Sequence, residues 1–245
     1  VHDYVATHVA YDVASYLNTS ARTPQDANAV FARKTGVCEG YARLYETIAK
    51  DAGLESEVVA GQAKGADNEV DGRGHAWNAV KANGQWYLLD TTWDAGFVSG
   101  DAFTKQYTSE YLFAPPAVFG VDHFPTVDKW QLRTPAITRG DFMRAPQMRP
   151  IFFANGSTLQ SPDRSQITVN GVAEADVAQL ANRPMFLAAE WEKDGARNRC
   201  DVTRGATSHV RCVLPATGAY RILFFESPKE YGTYEFVGEI VALDP

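Results

Sequence analysis

The chain of 245 residues is 45% hydrophobic, 12% aromatic and 22% charged, a globular composition at a length that suits one large domain or two small ones. Its net charge is −7 and it has no Lys/Arg-rich run, which argues against a nucleic-acid or acidic-membrane surface as its main business. No apolar stretch approaches the ~18–20 residues that a bilayer-spanning helix needs.

Val1, Tyr4, Val5, His8 and Val9 recur at helical spacing, so the sequence opens in an amphipathic helix. It does so without an initiator Met, and the expectation is an exported protein (secreted, periplasmic or at the cell surface) whose leader is not in this sequence. Thr23-Pro24 reads as a helix cap followed by proline at the first helical position, with Ala27, Val30 and Phe31 as the apolar stripe. Gly36 predicts the end of that helix. The next helix starts at about Cys38, carries Tyr41, Leu44, Tyr45 and Ile48 on one face, and ends at Gly53. A strand is expected over 57–61.

Residues 64–74 form a polar loop, a plain connector or a gate over a cleft. Its carboxylates Asp67, Glu69 and Asp71 read as a solvated turn rather than a calcium loop. Strands at 75–82 and 85–93 flank Asn83-Gly84, the strongest short hairpin signal available.

The composition shifts near residue 135. Residues 133–150 contain prolines and polar groups and read as a surface linker. Beyond it, short runs at 151–154, 166–169, 185–191, 210–214, 220–225 and 234–242 read as strands, with 173–180 as the one further helix. That spacing predicts a β-sandwich.

Three cysteines are unevenly placed: Cys38 stands alone, whereas Cys200 and Cys212 flank a plausible turn at Thr203-Arg204-Gly205-Ala206. We expect a Cys200–Cys212 disulfide and a free thiol at Cys38, an arrangement that favours an oxidising compartment. His209 could join the pair, but no C-x-x-C and no fourth ligand accompany it, so neither a metal nor another cofactor is expected.

The chemistry centres on Cys38. A thiol in the first turn of a helix faces free N–H groups and the positive end of the helix dipole, and both stabilise thiolate. The hairpin supplies the rest. With a two-residue turn at Asn83-Gly84, Ala82 faces Gln85 and paired positions sum to 167, so Trp77 faces Asp90 and His75 faces Thr92. Side chains alternate along a strand, so His75 shares a face with Trp77 and therefore with Asp90. The His75–Asp90 relation is a diagonal of ~7–8 Å between backbones, within reach of side chains leaning together. A carboxylate there can hold one imidazole nitrogen and leave the other for the thiol. Trp77 next to the base is either a substrate-binding wall or a core aromatic. His123 reads as a structural hydrogen-bonding histidine, and Asp94 is assigned no role.

Gly36-Val37-Cys38-Glu39-Gly40-Tyr41-Ala42, then Gly74-His75-Ala76-Trp77-Asn78, then Trp86-Tyr87-Leu88-Leu89-Asp90-Thr91-Thr92-Trp93 resemble the three blocks of the transglutaminase-like superfamily. Tyr111-Leu112-Phe113, His123-Phe124-Pro125 and Trp130-Gln131-Leu132 resemble its kyphoscoliosis peptidase branch. The resemblance implies an α+β papain-like catalytic domain over 1–135, with Cys38 as nucleophile, His75 as base and Asp90 as orienting carboxylate. Residues 136–245 then form an all-β domain, in which Leu214-Pro215-Ala216-Thr217-Gly218-Ala219-Tyr220 resembles the closing strands of immunoglobulin-like sandwiches.

The expected activity is acyl transfer through a thioester on protein carboxamide or peptide groups, as peptidase, deamidase or transglutaminase. The alternative is a low-turnover binding protein whose β-sandwich engages a protein or glycan. The backbone N–H of Cys38 is the expected first oxyanion donor. Papain-like proteases carry a Gln six residues before the nucleophile; here that residue is Ala32, and the second donor is unassigned.

Overall fold

In the computed structural model, which describes residues 1–65, 70 and 72–245, the periodic start of the chain is helix α1 (His2–His8), burying Val5 and Ala6. A short strand β1 (Ala10–Tyr11) follows, then α2 (Val13–Leu17) and α3 (Ala27–Arg33). The cap of α3 is Asp26, whose carboxylate accepts the Ala29 N–H. Thr23, the expected cap, instead donates its hydroxyl to Asp12. The helix closes on Lys34 in the left-handed conformation, and Gly36, the expected stop, belongs to β2 (Thr35–Gly36), paired in parallel with β1.

Helix α4 (Cys38–Asp51) packs Tyr41, Leu44, Tyr45 and Ala49 into a core with Val5, Val80 and Leu89. Behind it lies an antiparallel sheet in the order β5–β4–β3–β8, made of β3 (Glu55–Ala63), β4 (His75–Ala82), β5 (Gln85–Leu89) and β8 (His123–Pro125). Asn78 on β4 donates its side-chain amide to the Ala42 carbonyl at 2.9 Å and ties helix to sheet. Between β5 and β8 come the hairpin β6 (Gly96–Ser99)–β7 (Ala102–Lys105) and the single turn α5 (Pro116–Phe119).

The Asn83-Gly84 turn has φ 50° and 79°, the double positive pair of a type I′ turn, and Ala82 pairs with Gln85 as expected. Strand β5 stops at Leu89 rather than Trp93, because Asp90 turns the chain by accepting the backbone N–H groups of Thr92 and Trp93.

Gly61 on β3 has no room for a side chain. A Cβ there would lie 2.2 Å from the Phe124 carbonyl oxygen and 2.5 Å from the Trp77 ring. Gly61→Ala is expected to lose about 1–3 kcal/mol, since backbone on the neighbouring strand must move. A thermal melt checks it; an unchanged Tm would mean that β8 is free to shift.

The chain divides into two compact units, Val1–Ala136 and Ile137–Pro245. The second begins with α6 (Arg139–Arg144), β9 (Gln147–Met148) and α7 (Pro150–Ala154). The expected linker is therefore partly helical: Thr138 and Asp141 form a reciprocal capping box, and Phe142 is buried. Residues 151–154 are helix rather than strand, with Pro150 at the first helical position.

The remaining strands are β10 (Ser157–Ser161), β11 (Gln166–Thr168), β12 (Val172–Gln179), β13 (Phe186–Lys193), β14 (Ala196–Arg199), β15 (Asp201–Thr203), β16 (Thr207–Val213), β17 (Gly218–Ser227) and β18 (Glu235–Asp244). They form one sheet in the order β10–β12–β16–β15 and another in the order β11–β18–β17–β13–β14, with β9 also on β18. Val177 and Val210 from the first sheet and Leu187, Ile222, Val237 and Ile240 from the second share one core. Residues 173–180, expected as helix, lie in β12 and the turn after it. Ala173, Ala175 and Val177 alternate into that core, a period of two that outweighs the helix preference of alanine.

Cys200 sits where the chain leaves β14 of one sheet for β15 of the other, and it is bonded to Cys212 on β16 across a Cα separation of 4.4 Å. Closing a loop of 12 residues is worth about 3 kcal/mol in the chain-entropy account. The double variant Cys200→Ser, Cys212→Ser is expected to lose that much in urea unfolding. Reductant should then have no effect on it while lowering the midpoint of the wild type.

Candidate active site

Strand β2 ends at Gly36, and Val37 caps α4 with no side-chain bond of its own. Its backbone N–H is held instead by the Gln25 side-chain oxygen at 2.9 Å. This fixes the approach to Cys38, the first residue of the helix, which is half-buried and the one free cysteine. N–H groups in a first helical turn have no partner inside the helix and face the sulfur's side of the site.

His75 opens β4, and its Nε2 lies 2.6 Å from Asp90 Oδ2. The diagonal contact expected from the hairpin register is therefore made. With Nε2 engaged, Nδ1 is the ring nitrogen left for the thiol, and Cys38 lies close enough to His75 and the Ala76 backbone N–H to feel both. Burial pushes the Cys38 thiol up, but those two donors outweigh it and the thiol lies below its ordinary range. Burial likewise disfavours the His75 cation, and the Asp90 charge overrides it, raising the imidazole to about 10. Burial also opposes the Asp90 charge, yet His75 and His123 hold the carboxyl well below the usual carboxylate range.

Asp90 is wholly engaged. Oδ1 accepts the N–H groups of Thr92 at 2.8 Å and Trp93 at 3.2 Å, while Oδ2 meets His75 and, at 3.0 Å, His123 Nε2. His123 Nδ1 in turn lies 2.6 Å from Asp122 Oδ1, and the Tyr111 hydroxyl donates to Asp122 Oδ2 at 2.6 Å. His123 is thus a structural hydrogen-bonding residue, as expected. Its partner Asp122 carried no signal of its own in the sequence. His75, Asp90 and His123 bring three potential ligand atoms within 4.8 Å of one another, and their mutual hydrogen bonds account for that convergence.

Trp77 is 1% exposed and meets His123 edge-on at 5.0 Å between ring centres. It is the core aromatic of the two expected alternatives and offers no surface to a substrate. Trp93 has the position that Trp77 was expected to take: it is partly exposed, with its ring 5.2 Å from His75 and 4.4 Å from His123. Its place three residues after Asp90, in the same block, was the available signal.

Asp94 has a role after all. It is fully buried, bonds His2 Nε2 at 2.9 Å and the Thr108 hydroxyl at 2.7 Å, and sends its own N–H to the Asp90 carbonyl. Asp67, Glu69 and Asp71, with part of the expected gate, lie outside the described residues. Among the described residues no helix is long and apolar enough to cross a membrane.

A model of the transglutaminase-like superfamily matches residues 1–91, the stretch that carries Cys38, His75 and Asp90. The chain belongs to the transglutaminase-like superfamily, within its kyphoscoliosis peptidase branch. It is 32% identical over 189 residues to the kyphoscoliosis peptidases of Homo sapiens and Mus musculus, matches that cover 73% of this chain and 28% of theirs. It is 28% identical over 235 residues to hillarin of Drosophila melanogaster, covering 80% of this chain and 29% of hillarin. The chain thus spans less than a third of the length of these relatives.

Proposed function

We propose that the first unit is a thiol-dependent acyl-transfer enzyme acting on peptide or side-chain carboxamide bonds of proteins. Cys38 is the nucleophile, His75 its acid–base partner and Asp90 the carboxylate that orients and charges the imidazole. The observation that carries this reading is the linked pair of contacts, helix-leading thiol to His75 and His75 Nε2 to Asp90 at 2.6 Å.

The thiolate attacks the carbonyl carbon, and the oxyanion takes the Cys38 N–H. The C–N bond then breaks as His75 gives its proton to the departing nitrogen, leaving a thioester. His75 next takes a proton from the acceptor, water or an amine, as that acceptor attacks the thioester and the sulfur leaves. The word peptidase in the relatives' name supports water. We read the second unit as an immunoglobulin-like sandwich that binds or spaces, and its disulfide supports an exported protein.

Mass spectrometry of a protein mixture incubated with the chain, with and without a primary amine, tests the reaction. New cleavage termini are expected; deamidated residues or amine adducts would name the other outcomes of the same thioester. A Cys38→Ser variant that matches the wild type in every product would defeat the proposal. What remained would be the non-catalytic binding protein.

A further inference from the structure

Both ring nitrogens of His123 face carboxylate oxygens, Nε2 towards Asp90 at 3.0 Å and Nδ1 towards Asp122 at 2.6 Å. An ionised carboxylate only accepts, so each contact requires an N–H, and an imidazole with two N–H groups is a cation. Asp90 Oδ2 is shared: it holds His75 on one side and His123 on the other.

We infer that His123 is a buried, standing imidazolium that works as a positioning residue, dividing the charge of Asp90 with His75 and so setting the pH range over which Cys38 and His75 hold their ion pair. The inference rests on the reading of Cys38 as a nucleophile.

The surroundings fit a fixed charge. His123 is 2% exposed and is enclosed by the rings of Phe119, Trp93, Trp77 and Tyr111 at 4.2–5.4 Å. Burial opposes the cation, and the two carboxylates outweigh it, Asp122 more than Asp90. Asp122 is itself fixed by the Tyr111 hydroxyl, and it feels the buried Lys64. The other ionisable groups acting on this array are Cys38, the Tyr11 and Tyr41 phenols near Asp90, and Glu110 beyond Tyr111.

A carboxylate given wholly to His75 would hold the imidazolium proton tightly and make it a poor acid for a departing amine. Sharing the oxygen with a second cation loosens that grip. The same cation stabilises the thiolate at longer range.

The test is the pH dependence of Cys38 alkylation by iodoacetamide in the wild type, His123→Gln and Asp122→Asn. Removing the standing charge is expected to move both limbs of the profile to higher pH by about 0.5–1. The thiolate loses an attractive neighbour and the His75 cation loses a repulsive one. Asp122→Asn keeps the size of the side chain and leaves a neutral His123, so it should move both limbs the same way. A wild-type profile like that of a free thiol would sink the enzyme reading instead. A wild-type profile with a reactive limb below that of a free thiol, left in place by both variants, would overturn only this inference. Nitrogen NMR of the histidine-labelled wild type decides the charge directly, whether or not the variants fold. Two protonated nitrogens on His123 at about pH 7, above the ordinary imidazole range, are expected, and one bare nitrogen there defeats the assignment.

Discussion

Alkylation of Cys38 at about pH 6 is expected to slow by about 10–100-fold in His75→Ala. Without the imidazolium the thiol returns to ~8.5 or higher, since burial alone pushes it up, and its thiolate fraction falls to about 0.3%. The more basic thiolate is a better nucleophile, with a Brønsted slope of ~0.4–0.5, which recovers part of that loss. Turnover should fall further, by about 10²–10⁴-fold, because the departing amine also loses its acid.

The same histidine leaves a mark on stability. Its folded value of about 10 lies above the ordinary 6.5, so its contribution is complete below about pH 6.5 and disappears as pH rises through 10. Wild-type Tm should therefore fall between about pH 7 and 10, and His75→Ala should show a flatter curve. Iodoacetamide rates and calorimetry on the two proteins check both statements. Equal rates at about pH 6 would dispose of the ion pair.

Asp90→Ala is expected to cost about 3–5 kcal/mol in urea unfolding, the scale for stripping a buried charge of its partner. Four donors converge on this carboxylate: two histidines and the backbone N–H groups of Thr92 and Trp93. Asp90→Asn keeps an acceptor for the two backbone groups and should lose less. It presents an N–H to histidines that need an acceptor, so Cys38 should react as slowly as in His75→Ala. The carboxyl is held low, so its contribution is present above about pH 4 and fades as pH falls through that depressed range. An Asp90→Ala protein within about 1 kcal/mol of wild type would show that the array carries no net stabilisation.

The part of this site that could be read from the sequence is the part set by local rules. An Asn-Gly turn fixes a register, a register fixes which side chains share a face, and a cysteine after a glycine-bounded helix start fixes where the thiol lies. What escaped was set by partners remote in the chain. Asp94 acquires its meaning from His2, 92 residues away, and Asp122 from Tyr111 and His123. Trp77 alone was a candidate wall, and only the packing of Phe119 and His123 around it shows that it belongs to the core.

The differences in secondary structure have local causes. Residues 151–154 are β-prone, but Pro150 sets a helical first turn; 173–178 are alanine-rich, but their alternation feeds a sheet. Thr23-Pro24 looked like a cap, yet Asp12 claims the threonine hydroxyl and Asp26 takes over three residues later.

The contact between His2 and Asp94 reaches further than its distance from the sulfur suggests. It works as a buckle: the first helix is fastened to the turn whose backbone carries Asp90, and the tongue of that buckle is the second residue of the sequence. Loss of the His2 imidazole, as in His2→Ala, would slacken the carboxylate that orients His75. How firmly the proposed chemistry is held thus depends in part on the first helix.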